Sequence, residues 1–285
     1  MKRGLPGVLF CLLLIAAAAA PLAAQLAAPD AAGVSLGAVY YTVPDVAAHK
    51  KIWVVIFGAK PTMVGKTEML KIPGAFIVLT PGTPQTGNPL VNHLGIWGKD
   101  LNTTRAKLLA AGVTSATPNA QFIDLPNALR LEFIDDPMGP DAPSAHHIHY
   151  FVGSAPDGMN GQAWYVKEFG AAVNSRRNGA VPSALLTAPE KWISIDFTAA
   201  GGRGARGGAA PAAAAPAAGP TSNKGTVLDR FALEVKGIDA FVKKLEGDGV
   251  KVTKPVSTNA DGLKTAMIVD VLGNDVELIE GLAGK

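Results

Sequence analysis

The chain has almost no cysteine: one among 285 residues, Cys11, inside an apolar stretch near the N-terminus. Thiol catalysis, thiolate metal ligation and internal disulfides are therefore excluded from the remainder. Charge is sparse too, at 17% of residues with a formal net charge of +3. The basic residues form no stripe of the kind a nucleic-acid binder needs. Several catalytic signatures are missing: there is no G-x-S-x-G elbow, no P-loop, and no G-x-G-x-x-G between a strand and a helix. The Gly/Arg run at 201–208 lies in the Ala/Gly/Pro tract 199–222, where a phosphate cradle has no scaffold. Such a tract cannot bury enough apolar surface to offset its ordering entropy and reads as a disordered insert.

What is present begins with a leader. Lys2 and Arg3 precede the apolar run Val8–Ala20, and small residues follow at Ala23-Ala24. This is a signal-peptide pattern over 1–24, too short for a membrane span. It predicts an exported protein, periplasmic or extracellular, with no membrane association in the mature form. About 260 residues remain, enough for one large or two small domains.

The body of the chain is a repeat. HLGIWGKDLNTTRAKLLAAGV (93–113) and RFALEVKGIDAFVKKLEGDGV (230–250) align without a gap, and His93 falls on Arg230. Upstream, Asp45 to Gly58 and Asp157 to Gly170 have equal spacing; further on, IPGAFIVLT (72–80) matches APEKWISID (188–196). LRLEF, carrying Glu132, matches DVELI, carrying Glu277. Four units of roughly 50 residues result, a period that marks repeat architecture.

Within one unit, 38–43 suits a strand and Asp45 can cap a helix over Val46–Phe57 that Gly58 ends. Strands follow around Met63–Lys66, Glu68–Ile72 and Ala75–Thr80, punctuated by Gly and Pro. The second unit repeats this with a strand at 92–98, Asp100 as cap and a helix at 101–111. Each unit is βαβββ, so the fold class is α+β: four modules in two cupped-sheet domains, 36–135 and 145–282. His147 and His149 alternate onto one strand face, and histidine is the commonest metal ligand. His49, mid-helix beside Lys50 and Lys51, reads as a surface residue.

Paired βαβββ modules, N-H-L-G-I opening the second module, and D-x-P-x-x-x-R-L-E closing it resemble the vicinal oxygen chelate superfamily. Glyoxalase I, bleomycin-resistance proteins and extradiol dioxygenases are members. The resemblance implies a cavity for a small-molecule ligand and, in metal-dependent members, a His/His/Glu set for a divalent ion such as Fe, Mn, Zn or Ni. Carried over residue by residue, it points to His93, Glu132 and His149 as metal ligands. Glu132 or Glu277 becomes ligand or general base, and Tyr40, Trp97 and Arg230 become cavity residues. With modules paired in chain order neither domain holds a full set: Ala38 and Arg230 occupy ligand positions. If the second and third modules shared a cavity, His93, Glu132, His149 and Asp196 would converge. Two readings follow: a metal-dependent lyase or dioxygenase, and a metal-free protein that sequesters a small molecule without catalysis.

Overall fold

The computed structural model describes residues 26, 29, 33–186, 192–199 and 221–285. The predicted leader 1–24 and residues 200–220 of the insert lie outside them. The first module comprises β1 (Val34–Val43), α1 (Val46–Lys51), β2 (Lys60–Val64), β3 (Thr67–Ile72) and β4 (Ala75–Pro81). The second holds β5 (Val91–Gly98), α2 (Asn102–Ala110), β6 (Phe122–Leu125) and β7 (Leu129–Asp135). The third holds β8 (Ser144–Val152), α3 (Ala155–Phe169), β9 (Ala172–Arg176), β10 (Val181–Leu185) and β11 (Ser194–Ala199). The fourth holds β12 (Leu228–Val235), α4 (Ile238–Gly247), β13 (Lys251–Thr258), β14 (Lys264–Val269) and β15 (Asp275–Glu280).

Local chemistry sets these elements. Asp45 accepts the Ala48 amide at 2.9 Å and starts α1, which runs on into a π-helical turn at Ile52–Ile56. Together they cover the helix expected over Val46–Phe57. Trp53, fully buried, packs on Phe57 with ring centroids 4.7 Å apart, and Phe57 meets Phe133 of β7 edge-on at 6.0 Å. Each such ring removes about 150–250 Å² from water, so the first helix is anchored on the second module. That packing also corrects the reading of His49. It is fully buried, because its face of α1 turns toward the second module, where its Nε2 lies 3.1 Å from Asn127 Oδ1.

The sheets do not pair modules in chain order. One has eight strands, β13-β14-β15-β12-β1-β4-β3-β2, and joins the fourth module to the first. The other has seven, β6-β7-β5-β8-β11-β10-β9, and joins the second to the third. The sheets thus cut across the boundaries 36–135 and 145–282. The joints are antiparallel: β5 on β8, with His93 opposite His149, and β1 on β12, with Tyr40 opposite Arg230. Asn223 stitches the sheets together. Its Nδ2 donates to Val91 O at 2.7 Å and Leu228 O at 2.9 Å, and its Oδ1 accepts from Val91 N at 2.7 Å. Tyr150 of β8 donates to Asp270 Oδ2 at 2.7 Å, a second buried tie between the halves.

Candidate metal centre

Strand alternation puts Leu94 and Ile96 of β5 into the apolar core and turns His93 and Gly95 to the opposite face. Parallel pairing places Glu132 of β7 beside Gly95, and antiparallel pairing places His147 of β8 opposite Gly95. The result is a buried cluster of His93, Glu132, His147 and His149 whose potential ligand atoms all lie within 4.8 Å of one another. Three imidazoles converge on one carboxylate oxygen. From Glu132 Oε2, His93 Nε2 is 3.0 Å away, His147 Nε2 3.0 Å and His149 Nδ1 3.7 Å. The other oxygen, Oε1, accepts from Gln121 Nε2 at 2.6 Å and faces Arg177 Nη2 at 3.4 Å.

Two β-bulges shape the cluster. Asn92 is the extra residue on β5, between the Val91 and His93 pairs, and His146 is the extra one on β8, between the Ala145 and His147 pairs. A bulge re-aims the neighbouring side chain. The Asn92 side-chain Oδ1 lies 2.9 Å from His93 Nδ1, and His146 lies against Trp97 with centroids 5.7 Å apart. Gly95 is required for steric reasons. A Cβ there would fall 2.2 Å from His147 Cε1 and 2.2 Å from its Nδ1, so the imidazole rests directly on the strand.

Burial pushes His93 down to about 3, against the opposing hydrogen bond to Glu132. His149 is lowered by burial as well. Burial acts to raise the Glu132 carboxyl, but hydrogen bonds from His147, His149 and His93 outweigh it and hold the group well below the usual carboxylate range. Neutral imidazoles beside an ionised carboxylate are the protonation states a metal requires of its ligands. Ligand atoms on one ion at about 2.1 Å lie no more than about 4.2 Å apart, so a small contraction closes this set. The nitrogen-rich, cysteine-free donors suit Zn, Ni or Fe rather than Ca or Mg.

The predicted site residues separate into two groups. His93, Glu132 and His149 come together; Asp196 does not join them. Asp196 is fully buried beside His149 on β11, but its Oδ2 accepts from Arg176 Nη1 at 2.7 Å and its Oδ1 from Ser194 Oγ at 2.6 Å. His147, noted for sharing the His149 strand face, is the residue that completes the cluster. Trp97 packs on Trp192 at a tilt, with centroids 5.5 Å apart, beside His146 and outside the Glu132 contacts. Tyr40, Arg230 and Glu277 lie on the other sheet. There Arg230 Nε donates to Glu277 Oε2 at 3.0 Å, Nη1 donates to Asp229 Oδ2 at 2.7 Å, and the guanidinium covers the Tyr40 ring at 3.8 Å. A cavity of about 500 Å³ opens beside this ion pair, lined among others by Lys224, Lys254, Thr265 and Asp275. Glu277 therefore neutralises a guanidinium instead of facing histidines. Arg176 and Arg177 were missed by sequence reasoning, because they sit in a β9–β10 hairpin with no motif to mark them.

No protein-family model matches the chain, and no curated protein matches it. Solved structures do. Glyoxalase I from Zea mays superposes with a TM-score of 0.62 at 14% identity, covering 87% of this chain and 92% of that one. A putative dioxygenase from Bacillus subtilis gives 0.59 at 15% identity, covering 88% of this chain and 87% of that one. The chain has the vicinal oxygen chelate fold, as four modules in two sheets, three of them βαβββ and the second with three strands, β5, β6 and β7.

Proposed function

We propose that His93, Glu132 and His149, with His147 beside them, hold a divalent transition metal at which a small molecule binds through neighbouring oxygens. The carrying observation is the convergence of three buried imidazoles on Glu132 Oε2. A bound metal of this kind polarises substrate oxygens as a Lewis acid. The chain's own residues supply the rest. Burial excludes water, and Arg177 and Gln121 orient the Glu132 carboxylate through Oε1. The glyoxalase-like fold supports a lyase or dioxygenase reaction class as the reading. The metal-free sequestering alternative loses its main support, since pairing the second and third modules fills the gaps that chain-order pairing leaves.

Elemental analysis of the purified protein after incubation with Zn, Ni, Mn and Fe(II) tests this. We expect about one metal per chain, lost in Glu132→Ala; a wild-type protein that retains none overturns the reading. Export belongs to the proposal too, on the strength of the leader pattern over 1–24. N-terminal sequencing of protein recovered from cell fractions should give a terminus near Gln25, and an intact Met1 or Lys2 terminus would sink it.

A further inference from the structure

The three histidines are not equivalent in what faces their far nitrogens. A histidine that ligates a metal through one nitrogen carries hydrogen on the other and donates it to an acceptor. His93 can meet this condition: its Nδ1 lies 2.9 Å from Asn92 Oδ1, an acceptor, so with an ion in place the hydrogen can sit on Nδ1 and the Nε2 that otherwise hydrogen-bonds Glu132 can give its lone pair to the metal. His149 meets it in reverse, with Nε2 2.8 Å from the Thr198 hydroxyl, which accepts, and Nδ1 turned inward.

His147 does not. Its Nδ1 lies 3.0 Å from Arg176 Nη1, and a guanidinium only donates. The same Nη1 donates its other hydrogen to buried Asp196 at 2.7 Å, so Arg176 is fixed in place by a carboxylate the cluster does not use. His146 Nδ1, 2.9 Å from His147 Nδ1, shares that lone pair as a second donor. With its Nδ1 lone pair engaged, His147 carries its hydrogen on Nε2, the nitrogen that faces Glu132 at 3.0 Å.

We infer that His147 is not a metal ligand but an N–H donor aimed into the site, held in the Nε2–H tautomer by the Asp196–Arg176 pair. The ligands are then His93 Nε2, His149 Nδ1 and Glu132, a set that leaves positions open for a bidentate substrate. His147 Nε2–H is placed to hydrogen-bond an oxygen bound there. Arg176 acts only through His147 and is a positioning residue. The inference rests on the metal reading above.

The test is a count of nitrogen ligands by electron spin resonance on the Cu(II)-loaded protein, which needs no substrate and no turnover. Two imidazole nitrogens are expected in the wild type. His147→Gln should leave the count at two, with Cu(II) affinity changed by about tenfold or less, the scale of an outer-shell partner. His93→Gln and His149→Gln should each drop the count to one. Arg176→Leu combined with His146→Leu removes both donors from His147 Nδ1 and frees it to carry hydrogen, and the count should rise to three. Three nitrogens in the wild type overturn the inference while leaving the metal site standing, and no variant has to fold for that result. Absence of any bound Cu(II) sinks the metal reading itself.

Discussion

At matching positions the two sheets carry the same backbone and opposite chemistry. His93, Glu132, His149 and His147 on one correspond, by strand register, to Arg230, Glu277, Tyr40 and Ala38 on the other. Even the bulges repeat. Asn92 precedes His93 and Asp229 precedes Arg230, each an extra residue in its ladder and each offering an oxygen to its neighbour, at 2.9 Å and 2.7 Å. In one half the central carboxylate gathers three imidazoles. In the other it pairs with one guanidinium stacked on a phenol. The carboxylate position is common to both; what differs is the side chain that meets it, His93 in one half and Arg230 in the other. A strand that must accommodate His147 has glycine at 95, whereas its counterpart facing Ala38 tolerates Ala232.

The strongest way to break this contrast is to transplant it. Arg230→His with Tyr40→His sets two imidazoles around Glu277, with Asp229 ready to accept from the new residue 230. Metal content should rise from about one to about two per chain by elemental analysis; an unchanged content refutes the equivalence of the halves. Gly95→Ala should destabilise the protein by about 1–3 kcal/mol, as overpacking does, since the methyl group meets the His147 ring. Its counterpart Ala232→Gly should cost only about 0.5–1 kcal/mol through backbone entropy, and urea unfolding measures both.

The pH response sharpens the comparison further. His93 is held near 3 when folded and titrates at about 6.5 when unfolded. The unfolded chain therefore binds the extra proton between these values, and metal-free stability falls as pH drops below about 6.5 by up to about 1.4 kcal/mol per unit. His93→Asn should flatten that slope by about one proton, whereas Arg230→Lys should not change it. For Asn92→Ala we expect metal affinity to fall by about tenfold, measured by competition with a chelator.

How much of this was legible in the sequence follows from the same contrast. The βαβββ repeat, the cap at Asp45 and the strands carrying Glu132 and Glu277 all read correctly, because local periodicity and turn chemistry decide them. Module pairing did not, because it depends on which strand edges meet across more than a hundred residues. Without it, His93 and His149 fell in different domains and the metal set looked incomplete. Asp196 illustrates a finer limit. Joining the second and third modules does bring it next to His149, yet a hairpin arginine, invisible as a motif, takes its carboxylate. His49 failed for a related reason: flanking lysines made its helix turn look solvated, while the second module covered it.

The nested pairing of the sheets has a consequence for how the chain is made. The inner sheet is complete once about residue 199 has been synthesised, and both of its modules are neighbours in sequence. The outer sheet joins the first module to the last, so β1 must wait through the whole inner half, and through residues 200–220, for β12 to arrive. During that interval β1 presents an open edge lined with apolar residues, the kind of edge that pairs readily with other chains. The half with the histidine cluster can close early and alone, and the half with the guanidinium is the one that depends on the C-terminus.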